Sequence, residues 1–273
     1  MKLLSIDIGI KNMGVCLFET TDNKQVNIIE WDVLNLLCIN KCCFENNSCD
    51  KPIKFSKNNM FYCKPHAKKM DDYYIPPEDI QNIHKMKNSK ISSLYELCNK
   101  YDITYETPIT KSDLYEKIKL HINNKYFDSY EQENCNDIDL ISVGININIK
   151  FDEFLKHHDD IQYIIIENQI SPIANRMKTL QGMVAQYFIN RKTTNIKFVS
   201  SFNKLKLFTT QKLSYRDKKK LSIEVTGNFL TECNHLQTWK TFFLTSKKKD
   251  DLADSFLQGY YYLINNQLIT QLI

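Results

Sequence analysis

The 273-residue chain is poor in glycine and proline, with six of each, and contains no long hydrophobic run. No stretch approaches the roughly 18 apolar residues that a membrane-spanning helix needs, so we expect no membrane partner. The charge of Asp7 interrupts any signal-type apolar segment at the start of the chain, which predicts an intracellular protein. Without a secretion signal, the nine cysteines are expected to be reduced thiols or metal ligands rather than disulfides.

The composition is that of an ordinary globular protein. Hydrophobic residues make up 42% of the chain and charged residues 25%, which excludes disordered and fibrous classes. A formal net charge of +4 suits a polyanionic partner, although many unrelated proteins carry as much.

The order of apolar patterns along the chain predicts an α/β domain with a mixed β-sheet flanked by helices. Residues 1–33 give three strand-like runs, and residues 138–273 alternate between helical and strand patterns. Residues 34–137 have a different amino-acid composition, rich in Cys, Asn, Lys and Tyr, and are interpreted as an insertion. Within it, residues 38–69 form a Cys/His segment and residues 92–127 form a helical segment.

Four carboxylates occupy positions in or beside apolar segments, where a purely structural role does not explain an acidic side chain. Asp7 lies inside an apolar strand, and Glu167 directly follows the apolar run Tyr163–Ile166. A carboxylate so placed is costly unless it is paired or binds a metal ion. Asp251 and Asp254, three residues apart on the last predicted helix, can face one point. Each acid alone is more often a cap or a solvated group, so the prediction depends on all four together.

Convergence of four carboxylates would create strong repulsion unless cations bind between them. Two Mg²⁺ ions about 3.5–4 Å apart would neutralise the carboxylates and be bound by them, and Mn²⁺ could substitute for Mg²⁺. Such a pair of ions is suited to in-line hydrolysis of a phosphodiester. We therefore expect these acids to be both the metal ligands and the catalytic residues of a nuclease.

The Cys/His segment has the spacing of a structural zinc knuckle. The candidate zinc ligands are Cys49, Cys63 and His66, together with either Cys42 or Cys43. Cys38 competes for the same position, and a loop with reduced thiols is the alternative.

Four motifs in order resemble the Holliday junction resolvases of the RuvC superfamily, specifically the poxvirus-type group of large DNA viruses. They are SIDIGIKNMGV at Ser5–Val15, IIIENQ at Ile164–Gln169, RMKTLQGMVAQYF at Arg176–Phe188 and KKDDLADSFLQG at Lys248–Gly259. The resemblance implies an RNase H-like fold, a homodimer, Mg²⁺ dependence and paired nicks across four-way DNA junctions. It also implies that the four acids above are catalytic. If the protein is viral, the host cytoplasm or a virus factory is its expected location.

The helical segment at residues 92–127 resembles a SAP-type DNA-binding module, with Leu94, Leu97, Ile103, Leu114 and Ile118 as its small core. A helical hairpin that only packs on the rest of the protein is an equal alternative.

Basic residues outside the insertion are candidates for a phosphate-binding face. The predicted DNA-binding residues are Arg176, Lys178, Lys218, Lys219, Lys248 and Lys249. Arg191, Lys204 and Lys206 are further basic residues that could line the same face.

Three other functions fit parts of the pattern. An actin-like ATPase shares the Asp7-Ile8-Gly9 start, but the remaining glycines do not supply its second phosphate loop. A non-catalytic DNA-architectural protein would use only the insertion. Another RNase H-like nuclease, acting on flaps or RNA–DNA hybrids, would use the same four acids.

Overall fold

A computed structural model describes residues 1–37, 40–44, 49, 51–81, 86–131, 134–135, 137–158, 160–170 and 175–270. The chain divides into two compact units, Met1–Cys38 with Asn134–Ile273, and Ile39–Glu133. None of the described helices has the length and apolar character needed to cross a bilayer.

The strands of the described residues are β1 (Lys2–Asp7), β2 (Met13–Thr20), β3 (Val26–Leu34), β4 (Ile53–Lys57), β5 (Met60–Cys63), β6 (Asp128–Ser129), β7 (Tyr163–Asn168) and β8 (Ile196–Ser200). The helices are α1 (Lys64–Ala67), α2 (Ile91–Lys100), α3 (Lys111–Lys125), α4 (Leu140–Phe154), α5 (Asn175–Asn190), α6 (Tyr215–Glu232), α7 (Lys240–Thr245) and α8 (Lys249–Asn265). Short 3₁₀ turns lie at Glu78–Ile80, Ser201–Asn203 and Asn234–Trp239.

A five-stranded mixed sheet is the centre of the first unit, in the order β3-β2-β1-β7-β8. The first three strands form an antiparallel meander, while β7 pairs parallel with both β1 and β8. This is the RNase H-like arrangement that the sequence predicts. The predicted fold class, a mixed sheet flanked by helices, is therefore confirmed.

Successive side chains of a strand point to opposite faces of the sheet, so this unit has one part of its core on each face. On one face, Ile6 and Ile166 pack with Phe151 of α4 and Val184 of α5. On the other face, strand residues pack with α6 and α8, whose largest buried side chain is Tyr260.

The second face is the one that carries Asp7 and Glu167. Leu3 of β1 and Ile165 of β7 both belong to the core under α8. Residues two apart on a strand share a face, so Asp7 and Glu167 also project toward α8. Ser5, between Leu3 and Asp7, accepts a hydrogen bond of 3.2 Å from the Gln258 side chain of that helix.

Trp31 of β3 anchors the start of α8. Its indole Nε1 donates a 3.1 Å hydrogen bond to the carbonyl oxygen of Leu252, and its ring stacks on Phe243 with centroids 5.4 Å apart. The indole thus has both its N–H group hydrogen-bonded and its ring packed in the core. These contacts fix the end of α8 that bears Asp251 and Asp254.

The second unit contains a small sheet in the order β5-β4-β6 and a helical hairpin made of α2 and α3. The hairpin has its own core around Leu94, Leu114 and Ile118. Ile80 and Met86, which precede the hairpin in the sequence, also belong to this core. Whether this hairpin is a SAP module stays a prediction.

Gly259 of α8 allows that helix to pack closely on β2. A Cβ atom at this position would lie 2.2 Å from a ring carbon of Phe18, which is fully buried. We predict that Gly259→Ala lowers the free energy of unfolding by about 1–3 kcal/mol, measured by urea denaturation.

Gly227 of α6 provides the matched control. No heavy atom lies within 4 Å of a Cβ added there. Gly227→Ala should therefore raise the free energy of unfolding by about 0.4–1 kcal/mol. Equal effects of the two substitutions would contradict the close packing of α8 on Phe18.

Candidate active site

Two neighbouring parallel strands bring Asp7 and Glu167 together. Asp7 is the last residue of β1, and Glu167 lies one position beyond Ile166, which is paired with Ile6. The two carboxylates therefore stand side by side at the carboxyl ends of adjacent strands, on the face covered by α8. Side chains that bind or react commonly collect at this edge of a sheet.

The first turns of α8 supply the other two acids, Asp251 and Asp254. Gly14 of β2 makes their close approach possible, because a Cβ there would lie 2.2 Å from the carbonyl oxygen of Asp251. Gly9 has a separate local role, since its Cβ would lie 2.1 Å from the carbonyl oxygen of Asn12 in the β1–β2 turn. A side chain at either Gly9 or Gly14 would therefore clash with the backbone, which explains why both positions are glycine.

Lys204 occupies the point on which these carboxylates converge. Its Nζ lies 2.6 Å from Asp7 Oδ1, 3.3 Å from Glu167 Oε1 and 3.2 Å from Asp254 Oδ2. Only 6% of the residue is exposed. The sequence suggests an open phosphate-binding face for this lysine, whereas the structure places it among the acids, directly after the Ser201–Asn203 turn.

Burial and mutual repulsion shift the proton equilibria of this cluster. Burial raises the pKa of Asp7 to about 6, with Lys204 opposing the shift and Glu167 adding to it. Burial also raises the pKa of Asp254, again opposed by Lys204. For Lys204, burial disfavours the charge, but the surrounding carboxylates outweigh that effect and raise its pKa. The ammonium is therefore held charged by the acids around it.

Asp251 lacks the neutralising contact that the other three acids have. Burial, then the charges of Asp250 and Asp7, raise its pKa to about 6. Its Oδ2 atom is buried with no hydrogen-bond partner among the described residues. A buried carboxylate oxygen without a hydrogen-bond donor lowers the stability of the fold. Binding of a hard divalent cation to that oxygen would remove this cost. The four acids thus fit a site for Mg²⁺ or Mn²⁺.

A cleft of about 520 Å³ opens beside the cluster. Glu167, Lys204 and Asp254 lie in its wall, together with Lys218 and Lys219. The cleft therefore combines the acids with cations that suit a phosphate backbone.

Two aromatic side chains lie exposed at the same cleft, Phe202 at 66% and Tyr215 at 76%. The amine of Lys218 stands 5.3 Å from the ring centroid of Phe202, and that of Lys219 stands 5.2 Å from Tyr215. The sequence does not indicate Phe202, because helical or strand spacing does not mark residues in loops. Exposed rings beside cations are suited to stacking on unpaired bases.

The six predicted DNA-binding residues fall into different environments. Lys178 and Lys248 are exposed and Lys249 is half-buried. Lys219 pairs with Asp250, the acid beside the candidate ligands. The guanidinium of Arg176 donates to the carbonyl oxygen of Ile138 and so has a role within the fold. Their contact with DNA stays a prediction.

The Cys/His segment brings one set of four side chains together. The ligand atoms of Cys42, Cys49, Cys63 and His66 all lie within 4.8 Å of one another, so the group could hold a metal ion. The thiol of Cys43 instead accepts from the backbone N–H of Phe61 at 3.3 Å. Cys38 lies outside the described residues.

The sheet topology and the carboxylates at its edge define an RNase H-like protein with a candidate divalent-metal site. Residues 135–266 match the family described as Poxvirus A22 protein. The predicted resemblance to the poxvirus-type group is confirmed by this match. The matched range contains Glu167, Lys204, Asp251 and Asp254, while Asp7 precedes it.

A relative matches nearly the whole chain. Uncharacterized protein L451 of Acanthamoeba polyphaga mimivirus is 29% identical over 317 residues, covering 96% of this chain and 74% of that protein. The similarity therefore extends into the residues that precede the family match.

Solved structures of three resolvases are similar at low identity. The fowlpox virus Holliday junction resolvase is 13% identical with a TM-score of 0.41, covering 97% of this chain and 99% of that one. The yeast mitochondrial Holliday junction resolvase Ydc2 is 15% identical with a TM-score of 0.39, covering 97% and 81%. T. thermophilus RuvC in complex with Holliday junction substrate is 8% identical with a TM-score of 0.39, covering 97% and 96%.

Removing the Lys204 ammonium should leave the buried acids without their counter-charge. We predict that Lys204→Met lowers the free energy of unfolding by about 3 kcal/mol at about pH 8 in EDTA. Because the folded-state pKa values of Asp7 and Asp251 lie above the ordinary 3.8, proton uptake favours the folded state as the pH falls through about 6. The deficit should therefore be smaller at about pH 5.

Lys206→Met is the control for this substitution, since Lys206 belongs to the same segment but is exposed. Urea denaturation at the two pH values should show that the control changes the free energy of unfolding by less than about 0.5 kcal/mol. A Lys204→Met deficit that is equally small, or that grows at low pH, would contradict the charge balance described above.

Proposed function

We propose that this protein is a Mg²⁺-dependent DNA endonuclease that resolves four-way junctions. The observation that carries the proposal is the convergence of Asp7, Glu167 and Asp254 on one buried point. Beside it lies Asp251, whose buried Oδ2 atom has no hydrogen-bond partner in the described part of the chain. Such a cluster suits phosphodiester hydrolysis because carboxylate oxygens bind hard cations that neutralise a reacting phosphate. The confirmed resemblance to poxvirus-type resolvases supports the four-way junction as substrate.

When bound, a pair of Mg²⁺ ions would supply a hydroxide for attack and stabilise the leaving 3′-oxygen. Asp7 and Glu167, fixed on rigid strands, would set the position of these ions against the sheet. Asp251 and Asp254 would hold them from the helix side. Mn²⁺, which also prefers oxygen ligands, is expected to replace Mg²⁺.

Lys204 would serve two states of the site. Its ammonium, which contacts Asp7 and Asp254, would offset the repulsion among the acids when no divalent ion is bound. Once the acids bind cations, the flexible side chain is free to turn toward the cleft that Lys204 itself lines. There its charge would offset that of the scissile phosphate.

The cleft suits a branched substrate better than a closed duplex. Phe202 and Tyr215 offer two exposed rings on which bases at an opened branch point would stack, at about 1–3 kcal/mol for each base. In an intact duplex the bases are already stacked and gain nothing from these rings. Lys218 and Lys219, next to the rings, would contact the backbone of the same strand.

Cleavage of a synthetic four-way junction tests the proposal beside matched duplex, flap and RNA–DNA hybrid substrates. We expect the junction to be cut in Mg²⁺ and not in EDTA. Glu167→Gln should keep junction binding and reduce cutting by more than about a hundredfold, because even outer-shell partners of metal ligands are worth 10–100-fold.

Glu224→Gln makes the same chemical change on an exposed face of α6 and should cut like the parent protein. Equal cutting of duplex and junction would defeat the assignment of substrate. Preferential cutting of flaps or hybrids would instead indicate another RNase H-like nuclease. Junction binding without cutting by the parent protein would indicate an architectural role.

We further propose a homodimer, because paired nicks need two active sites on one junction. Helix α4 presents an apolar stripe of Ile141, Ile145 and Ile149, which are 77%, 54% and 47% exposed. Residues four apart lie on one helix face, and a two-fold dimer covers the same patch on both copies. The dimer would act inside the infected cell, in the cytoplasm or a virus factory.

Light scattering should give a mass of twice the 32.3 kDa chain at micromolar concentration. Ile145→Glu should reduce this mass to that of one chain, since it places a charge in the stripe, without changing the circular dichroism spectrum. A parent protein that is monomeric, or a variant that stays dimeric, would count against this interface.

A further inference from the structure

We propose that Cys42, Cys49, Cys63 and His66 form a closed structural Zn²⁺ site that stabilises the β4–β5 region of the second unit. This site is separate in sequence and chemistry from the carboxylates, so it does not depend on the proposed nuclease activity.

The distances between the side chains fit a tetrahedral ion. The Sγ atoms of Cys49 and Cys63 are 3.8 Å apart, and Sγ of Cys42 is 3.3 Å from Nδ1 of His66. With Zn–S of about 2.3 Å and Zn–N of about 2.0–2.1 Å, a tetrahedron requires separations of about 3.8 Å between sulfurs and about 3.5 Å between sulfur and nitrogen. A disulfide, with sulfurs about 2.05 Å apart, does not fit the Cys49–Cys63 distance.

The surrounding structure orients the ligands. The backbone N–H of Cys63 donates to Sγ of Cys42 at 3.4 Å, a contact that favours a thiolate over a thiol. The His66 ring stacks on Phe44 with centroids 4.2 Å apart, which fixes the plane of the imidazole. Such support around the ligands is what a metal site needs to hold its geometry.

The four ligands come from separate pieces of backbone. Cys42 and Cys49 face each other across an isolated β-bridge, Cys63 ends β5, and His66 lies in the short helix α1. One ion would therefore tie a loop, a strand and a helix together. Burial of Cys42, Cys63 and His66 leaves no open position for a substrate, which indicates a structural rather than a catalytic ion.

The small sheet has little apolar material with which to stabilise itself. Its buried core residues are Phe55, Tyr62, Ala67 and Phe127, and β4 and β5 are only five and four residues long. A small domain of this kind commonly depends on a metal or disulfides. The metal supplies folding free energy because the unfolded chain has no preformed site.

Three thiolates and one imidazole favour Zn²⁺ among divalent ions. Mg²⁺ and Ca²⁺ require oxygen ligands, which this group lacks. Tetrahedral sulfur and nitrogen sites are typical of zinc, and the protein supplies all four ligands.

Metal analysis of the full-length protein purified without chelator should find one zinc ion per chain. Loading the chelated protein with Co²⁺ should give the intense absorption of a tetrahedral thiolate site. Cys63→Ser should lose that absorption, while Cys43→Ser, the neighbour of a ligand, should keep it. Absence of zinc, or loss of the signal in Cys43→Ser but not in Cys42→Ser, would overturn the proposed ligand set.

A second measurement on the unmodified chain covers the case in which Cys63→Ser fails to fold. Thiol alkylation followed by mass spectrometry should show Cys49 and Cys63 reacting at least about tenfold more slowly with Zn²⁺ than after chelation. The rate for Cys43, which is not a ligand, should change by a smaller factor than the rates for Cys49 and Cys63. Equal rates for all three thiols with and without Zn²⁺ would refute the site.

Discussion

Repulsion among carboxylates confined to one small volume is the constraint on which this structure depends. Asp7 and Glu167 cannot separate, because their strands are hydrogen-bonded neighbours in the sheet. Asp254 is fixed by a helix whose packing is set by Phe18 and Trp31. A positive charge therefore stabilises them, and the Lys204 ammonium lies among them, 2.6 Å from Asp7 and 3.2 Å from Asp254. The fold thus holds the acids close together, as the proposed pair of divalent ions would require.

The topology of the sheet explains why the candidate site is assembled from distant pieces of sequence. A parallel pair of strands needs a long crossover, so β1 and β7 are separated by the whole insertion and by α4. Their shared edge nevertheless places Asp7 and Glu167 side by side. All four candidate acids consequently belong to the first unit.

Much of the fold follows from the sequence because periodicity is a local property. The strands of the meander and the helices near residues 140–265 show their apolar patterns directly, and the predicted sheet and its flanking helices are confirmed. The positions of Lys204, Phe202 and Tyr215 could not be obtained in this way. Lys204 contacts Asp7 across 197 positions of the chain, and no spacing rule relates two such residues. Likewise, the choice between Cys42 and Cys43 requires the direction of each side chain, which adjacent positions do not reveal. The roles of the four acids, the basic residues and the SAP-like hairpin stay predictions.

Direct observation of metal ions in the carboxylate cluster tests the central claim most directly. Anomalous scattering from crystals grown with Mn²⁺ should show two ions about 3.5–4 Å apart, bound by Asp7, Glu167, Asp251 and Asp254. The amine of Lys204 should have left the point that it occupies without metal. Saturating Mn²⁺ that gives no peak between these acids, with Lys204 still bound to Asp7 and Asp254, would contradict the account.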